Sequence, residues 1–361
     1  MKTLGEIFEI GSGGTPSKTH PEYYDGNIPW VKTGDLKDEY LYSVEDYISE
    51  EGLNNSSAKM YPSGTVLIAM YGATIGATSI LKFDACTNQA CAAFKPCEEV
   101  LPEYLYYFLR SKKQKFISDG VGGAQPNISA GYLKKVSIDI RNIKEQEKIV
   151  TVLDKLNGII QKRQNEVDEL DELIKARFVE LFGDPITNTK HLETRDLKDV
   201  LILKAGEFTA ASDISDEPSE THRYPCYGGN GIRGYVEEYN QEGEFSLVGR
   251  QGALSGNVQF AKGQFKNTEH ALLVTPVVEM NSIWLNQLLL NLDLKRYQTG
   301  AAQPGLSVKN LQEIPIIMVP VGEQKVFAEF VKQVDKSKVA VQKSLEETQK
   351  LFDSLMQEYF G

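Results

Sequence analysis

Ala124-Gln125-Pro126-Asn127-Ile128-Ser129 returns as Ala302-Gln303-Pro304-Gly305-Leu306-Ser307, and the offset of 178 residues then holds without a gap to the last residue. Under that shift Leu133 meets Leu311, Val136 meets Ile314, Glu145-Gln146 meets Glu323-Gln324, and Leu181-Phe182-Gly183 meets Tyr359-Phe360-Gly361. Upstream the offset becomes 180, so that Gly72-Ala73-Thr74-Ile75-Gly76 meets Gly252-Ala253-Leu254-Ser255-Gly256 and Thr87-Asn88-Gln89-Ala90 meets Asn267-Thr268-Glu269-His270. Near the two starts Leu4-Gly5-Glu6-Ile7 resembles Leu197-Lys198-Asp199-Val200, but between there and the first matching block the halves diverge strongly. Each half couples a variable front to a constant back, the organisation of two copies of one scaffold that bind two different things.

A chain of 361 residues exceeds one typical core, in agreement with two globular units. No apolar run reaches the roughly 18 residues of a membrane helix, and Met1-Lys2-Thr3-Leu4-Gly5-Glu6 turns acidic too early for a signal peptide, so a cytoplasmic protein is expected. Cys86, Cys91, Cys97 and Cys226 contain no Cys-x-x-Cys pair and read as reduced and structural. A net charge of −11 does not exclude nucleic acid, because phosphate binding depends on where cations are placed and not on their sum.

Residues 1–142 mix β-branched and aromatic runs such as Thr65-Val66-Leu67-Ile68-Ala69-Met70 with Gly, Asn, Asp and Pro turns, the pattern of short strands. One helical stretch from Pro102 interrupts them, with its counterpart from Ser282. Over 143–183 the period changes to heptads, with Leu153, Ile160, Val167, Ile174 and Leu181 at one seam position and Ile149, Leu156, Arg163, Leu170 and Arg177 at the other. After a second strand-rich stretch, 184–320, the heptads return over 321–361. There Val331, Lys338, Leu345, Phe352 and Tyr359 share one position, and Phe327, Val334, Val341, Thr348 and Leu355 the other. The arginines in the first seam are expected to snorkel. Gly183-Asp184-Pro185 ends the first helix. At roughly 1.5 Å per residue that helix is about 58 Å long, and the short connection after it predicts that the second helix runs back antiparallel. The expected fold is therefore α+β: two pseudo-symmetric strand-rich domains separated by an antiparallel two-helix coiled coil. A circular permutant opened between 184 and 195 should then fold.

Taken together, Gly13-Gly14-Thr15-Pro16-Ser17, Pro29-Trp30-Val31-Lys32-Thr33-Gly34-Asp35, Tyr224-Pro225-Cys226-Tyr227-Gly228-Gly229-Asn230-Gly231, Ala-Gln-Pro-x-(Ile/Leu)-Ser before each last strand and Glu-Gln opening each helix resemble the specificity subunit of type I restriction-modification systems. The resemblance covers essentially the whole chain. It implies that 1–142 and 184–320 are target recognition domains, each reading one half of a split DNA sequence. The helices would set the gap, since a separator of about 58 Å spans on the order of 15 base pairs at roughly 3.4 Å each, enough to place two recognition domains about one helical turn apart on one face of the duplex. They would also dock two adenine-N6 methyltransferase subunits, with restriction (translocase) subunits joining the full complex. Such a subunit has no chemistry of its own, binds no cofactor, and leaves S-adenosylmethionine to the methyltransferase.

The residues agree with that division of labour. The amino-methyltransferase loop Asx-Pro-Pro-aromatic needs adjacent prolines, and none occur. In Ser12-Gly13-Gly14-Thr15-Pro16-Ser17-Lys18-Thr19 the glycines of a phosphate-binding loop would fall on Ser12 and Ser17. His20, His191, His222 and His270 show no ligand spacing, and no metal site is expected. Bases are read by polar side chains in loops. The candidates in the first front are Thr15, Ser17, Lys18, Lys32, Thr33, Tyr71 and Thr74; in the second they are Tyr227, Asn230, Arg233, Arg250, Gln251 and Asn257. Arg110, Lys112, Lys113 and Lys115, with Lys295 and Arg296 in the other copy, are candidates for phosphate. Gln125-Pro126 and Gln303-Pro304, common to both halves, cannot distinguish two half-sites and read as turn-formers. Two alternatives remain at this level: a non-catalytic two-headed coiled-coil adaptor for proteins, and the same subunit in a compact or methylation-only system.

Overall fold

The computed structural model describes residues 1–120, 127–300 and 304–361, and the chain divides into two compact units. Unit 1 combines Met1–Arg163 with Ser344–Gly361; unit 2 is Gln164–Lys343. The fold is α+β, with strand-rich domains and two long helices, Ile143–Phe182 and Val321–Phe360. Among the described residues no helix is long and apolar enough to cross a membrane.

In unit 1 a five-stranded sheet runs in the order Ile10–Ser12, Cys91–Phe94, Val66–Ala69, Thr78–Leu81, Tyr40–Leu41. A four-stranded sheet, in the order Tyr47–Ile48, Ile28–Val31, Ala85–Thr87, Met60–Tyr61, packs around Trp30, Ile48, Ala58 and Cys86. The central strand Val66–Ala69 is buried on both faces, which is why it reads as an unbroken apolar run. Helix Pro102–Ser111 lays Tyr104, Tyr107 and Phe108 into a core that also takes Ile149 and Leu153 of the first long helix and Phe352, Met356 and Phe360 of the second. The Phe360 ring meets Tyr104 edge-on at 5.1 Å.

Unit 2 holds a six-stranded sheet in the order Leu201–Ala205, Ala271–Pro276, Gln241–Gly249, Val258–Asn267, Tyr224–Gly228, Gly231–Val236. Helix Ser282–Asn291 carries the fully buried Trp284, which meets Phe178 and Phe182 at 6.3 and 6.1 Å; Phe327 closes the cluster at 5.5 and 5.6 Å from those two phenyl rings. Val167 and Ile174 of the first long helix are buried, as are Val331, Val334 and Val341 of the second. Leu170 and Leu181 are half-buried, as are Leu156, Ile160 and Leu345 in the other halves of the helices. Lys338, a charge at a seam position, is held by both carboxylate oxygens of Asp171 at 2.5 Å. Arg177 pairs with Glu180 at 2.7 Å and lies over the Phe330 ring, while Arg163 is half-buried.

The helix ends follow from local chemistry. Asn142 Oδ1 accepts the Glu145 N–H at 3.0 Å and the Glu145 carboxylate accepts the Asn142 N–H at 3.3 Å, a reciprocal cap on the first long helix. At its other end Gly183 takes φ +78° and donates to the Val179 carbonyl, and the Lys190 ammonium caps the carbonyls of Glu180 and Leu181 at 2.5 and 3.0 Å.

Candidate nucleic-acid interface

In unit 2 the candidates converge on one edge. The Arg250 N–H donates to the His270 carbonyl at 2.9 Å and the Arg250 carbonyl accepts the Leu306 N–H at 2.8 Å; the Gly252 N–H donates to Pro304 O at 2.9 Å. The loop beginning at Arg250 is thereby tied to the strand end at His270 and to the segment from Pro304. Gly252 needs its glycine for a φ of +80°, and a Cβ there would meet nothing within 4 Å, so this turn faces open space. Gly229, Asn230, Arg233, Gln251 and His270 line a cavity of about 400 Å³. Asn257 joins them by donating from Nδ2 to Asn230 Oδ1 at 2.9 Å. Tyr227 sits behind the edge: its ring packs on Phe265 at 5.5 Å and its carbonyl accepts the Thr268 hydroxyl at 2.8 Å, while burial raises its phenol pKa.

Unit 1 repeats the plan with other side chains. The Met70 N–H donates to the Ala90 carbonyl at 2.8 Å, the Ile128 N–H to the Met70 carbonyl at 3.0 Å, and Tyr71 bridges to Asn127. Gly72 takes φ +67°, again with open space beyond it. The Thr15 hydroxyl reaches Gln89 Oε1 at 2.5 Å, and the Thr74 hydroxyl donates to the Tyr71 carbonyl at 3.2 Å. Ser17 and Thr19 share a 2.7 Å hydroxyl contact, and Lys18 beside them is exposed. Lys32 pairs with Asp46 at 2.6 Å over the Trp30 ring, and Thr33 opens the short turn Thr33–Asp35.

Of the phosphate candidates, Arg110 and Lys112 make hydrogen bonds within unit 1, while Lys113 is exposed. Arg110 donates to the Tyr106 phenol at 2.9 Å, the Lys112 ammonium donates to the Phe360 carbonyl, and Lys113 lays its stem against Gly76. Burial depresses the Lys112 pKa. Gln125, Pro126 and Gln303 lie outside the described residues, while Pro304 is part of the unit 2 edge. Gln89, Asn127 and His270 belong to these edges and escaped the sequence reading. The signal for them was that they are positions where otherwise matching blocks differ between the halves. Desolvation pushes the Cys86 and Cys91 thiols up to about 12, leaving them as inert packing groups. Among the described residues no three His, Cys, Asp or Glu side chains could hold a metal ion. What the edges offer is a hydrogen-bonded backbone carrying exposed hydrogen-bonding and aromatic side chains.

The pattern of the family described as "Type I restriction modification DNA specificity domain" matches residues 1–169 and again 189–349. The specificity subunit of the type I restriction enzyme EcoprrI of Escherichia coli is 30% identical over 352 residues, covering 92% of this chain and 86% of that one. That of the MjaIX enzyme of Methanocaldococcus jannaschii is 34% identical over 223 residues, covering 59% of this chain and 51% of that one. The crystal structure of a type I restriction-modification S subunit from M. genitalium has the same fold, with a TM-score of 0.60 at 18% identity over 100% of this chain and 95% of the other.

Proposed function

The chain belongs to the type I restriction-modification DNA specificity family, and from that premise we propose that it is the non-catalytic subunit that directs a DNA methyltransferase and restriction enzyme to a bipartite target. The observation that supports this most directly is the pair of edges. The same backbone frame, with the same positive-φ glycines at 72 and 252, carries different exposed side chains in each unit. Hydrogen-bonding groups on a frame of this kind can discriminate base edges in a groove. Two unlike readers on two copies of one frame suit an asymmetric, split sequence.

In this reading the long helices fix the gap between half-sites and dock the methyltransferase subunits, and restriction subunits complete the assembly in the cytoplasm. One solved structure of similar fold concerns the complex assembly and conformational transition of the type I restriction-modification system. S-adenosylmethionine and the methyl-transfer chemistry belong to the methyltransferase. Arg110 and Lys112 hold contacts within the chain and the net charge is −11, so the partner supplies much of the phosphate grip and the isolated chain binds DNA weakly.

The test is to co-express the chain with the adjacent methyltransferase and map methylated adenines in host DNA. A two-part motif with a fixed gap is expected, and exchange of residues 1–142 for those of another family member changes only one part. A continuous motif would rule the reading out. The acidic charge favours a second reading, a two-headed adaptor for basic protein surfaces; a stable complex without any methylated motif would support that one.

A further inference from the structure

Backbone hydrogen bonding aligns the two variable fronts where sequence similarity fails. In unit 1 the Gly14 N–H donates to the Thr87 carbonyl at 2.9 Å, and in unit 2 the Glu207 N–H donates to the Asn267 carbonyl at 3.1 Å. Gly13 and Gly206 precede them and press on the same carbonyls, so closely that a Cβ would sit 1.7 and 2.1 Å from the oxygen. Thr87 and Asn267 are already equivalent through the 180-residue offset. The next residues along, Thr15 and Phe208, therefore occupy one structural position. The bonds from Met70 to Ala90 and from Arg250 to His270 make Tyr71 and Gln251 a second equivalent pair.

At both positions one unit carries an aromatic ring and the other a polar group, and the assignment is exchanged between units: Thr15 with Tyr71, Phe208 with Gln251. All four are exposed, Tyr71 at 41% and Phe208 at 79%. Phe208 is not a loose side chain on a loose loop. Glu207 before it is tied through its backbone and through a 2.6 Å ion pair with Lys266, and the buried Thr209 after it donates its hydroxyl to the Glu207 carbonyl at 3.3 Å. The anchored backbone presents the phenyl ring at one place, where a partner that covers it gains the burial of its apolar surface.

We propose that Thr15 with Tyr71, and Phe208 with Gln251, are the specificity-determining pairs of the two half-sites, and that the ring and the hydrogen-bonding group have traded places between them. This rests on the reading that each unit binds DNA. The polar member hydrogen-bonds a base edge, and the ring packs against a thymine methyl in the groove. Equivalent steps of the two half-sites are thus read by different chemistry.

The experiment uses the complex with the methyltransferase, its methylated motif mapped in cells and its affinity measured on duplexes carrying that motif. Phe208→Ala should weaken binding to the cognate duplex at least tenfold, leave binding to a duplex with a scrambled second half unchanged, and leave the yield of complex unchanged. Tyr42→Ala, which removes another exposed ring (72%) outside either pair, should stay within twofold of wild type on both duplexes. The graft Phe208→Thr with Gln251→Tyr should change bases in the second half of the motif while the first half and the gap persist. Unchanged motif and affinity in both Phe208 variants would overturn the proposal and leave DNA recognition standing. Loss of methyltransferase from the Phe208→Ala complex would overturn it too, by assigning the ring to a protein contact. A wild-type complex without a two-part motif would instead remove the DNA reading on which the proposal rests.

Discussion

Gln146 is fully buried and engages its carbonyl oxygen and both amide hydrogens: Oε1 accepts the Leu101 N–H at 2.9 Å, and Nε2 donates to the carbonyls of Glu99 and Arg141 at 2.9 and 2.8 Å. Gln324 repeats this in unit 2, accepting from the Asn281 N–H at 2.8 Å and donating to Val319 O at 2.7 Å. That is why Glu-Gln opens both long helices. The glutamine fastens the first turn of the long helix to the start of the short one, because its amide sets an acceptor oxygen beside two donor hydrogens on a stem longer than that of asparagine. Gln146→Leu strips the partners from three part-buried backbone groups, at up to about 1–3 kcal/mol each. A loss of several kcal/mol in chemical denaturation is expected. Gln146→Glu should fare little better, because a carboxylate cannot donate to two carbonyls. The recurrence was legible in the sequence, but its meaning was not, since the partners lie 45 and 47 residues away.

At the scale of elements, helix Pro102–Ser111 meets the first long helix through a partly buried acidic patch. The Tyr107 phenol donates to Asp154 Oδ1 at 2.7 Å and the Tyr40 phenol to Glu103 Oε1 at 3.2 Å. Burial raises the Glu39 pKa, and the neighbouring Asp154 charge raises it further; Asp154 is itself raised, chiefly by burial. A carboxyl whose folded pKa lies above its unfolded value holds its proton more tightly when folded. Its contribution is most favourable below about pH 4 and is lost as pH rises through the raised folded value. Glu39→Gln should therefore raise the melting temperature at pH 7, with the gain closing toward pH 4, as thermal melts across that range would show. The long helices themselves were readable from heptads and caps, which are local. The aromatic grip of Phe178 and Phe182 on Trp284 fell outside the strict seam because these rings face the strand-rich domain and not only the other helix.

At the scale of the whole molecule, sequence repeat and structural unit are not the same thing. Phe182 closes the first repeat but packs on Trp284 in unit 2, and Phe360 closes the second but packs on Tyr104 in unit 1. Each half of the chain supplies the helix end that the other half's domain needs. Residues 1–183 expressed alone lose Phe352, Met356 and Phe360 from their core. At about 1.5–3 kcal/mol per large side chain that loss rivals the net stability of a domain. The fragment should aggregate or unfold by itself and yield a folded one-to-one complex when co-expressed with 184–361, as size-exclusion chromatography with light scattering would report. A monomeric, cooperatively folding 1–183 would contradict this exchange. Correspondingly, Phe360→Ala should destabilise unit 1 by about 3–5 kcal/mol and leave unit 2 unaffected. The sequence by itself determined the duplication, the α+β class, both long helices and their ends, because periodicity, capping and turn chemistry act over a few residues. Only the tertiary structure decided which helix end completes which core, and that Thr15 and Phe208 stand at one position. Those relations rest on contacts between residues far apart in the chain, and where the fronts diverge nothing in their local pattern records them.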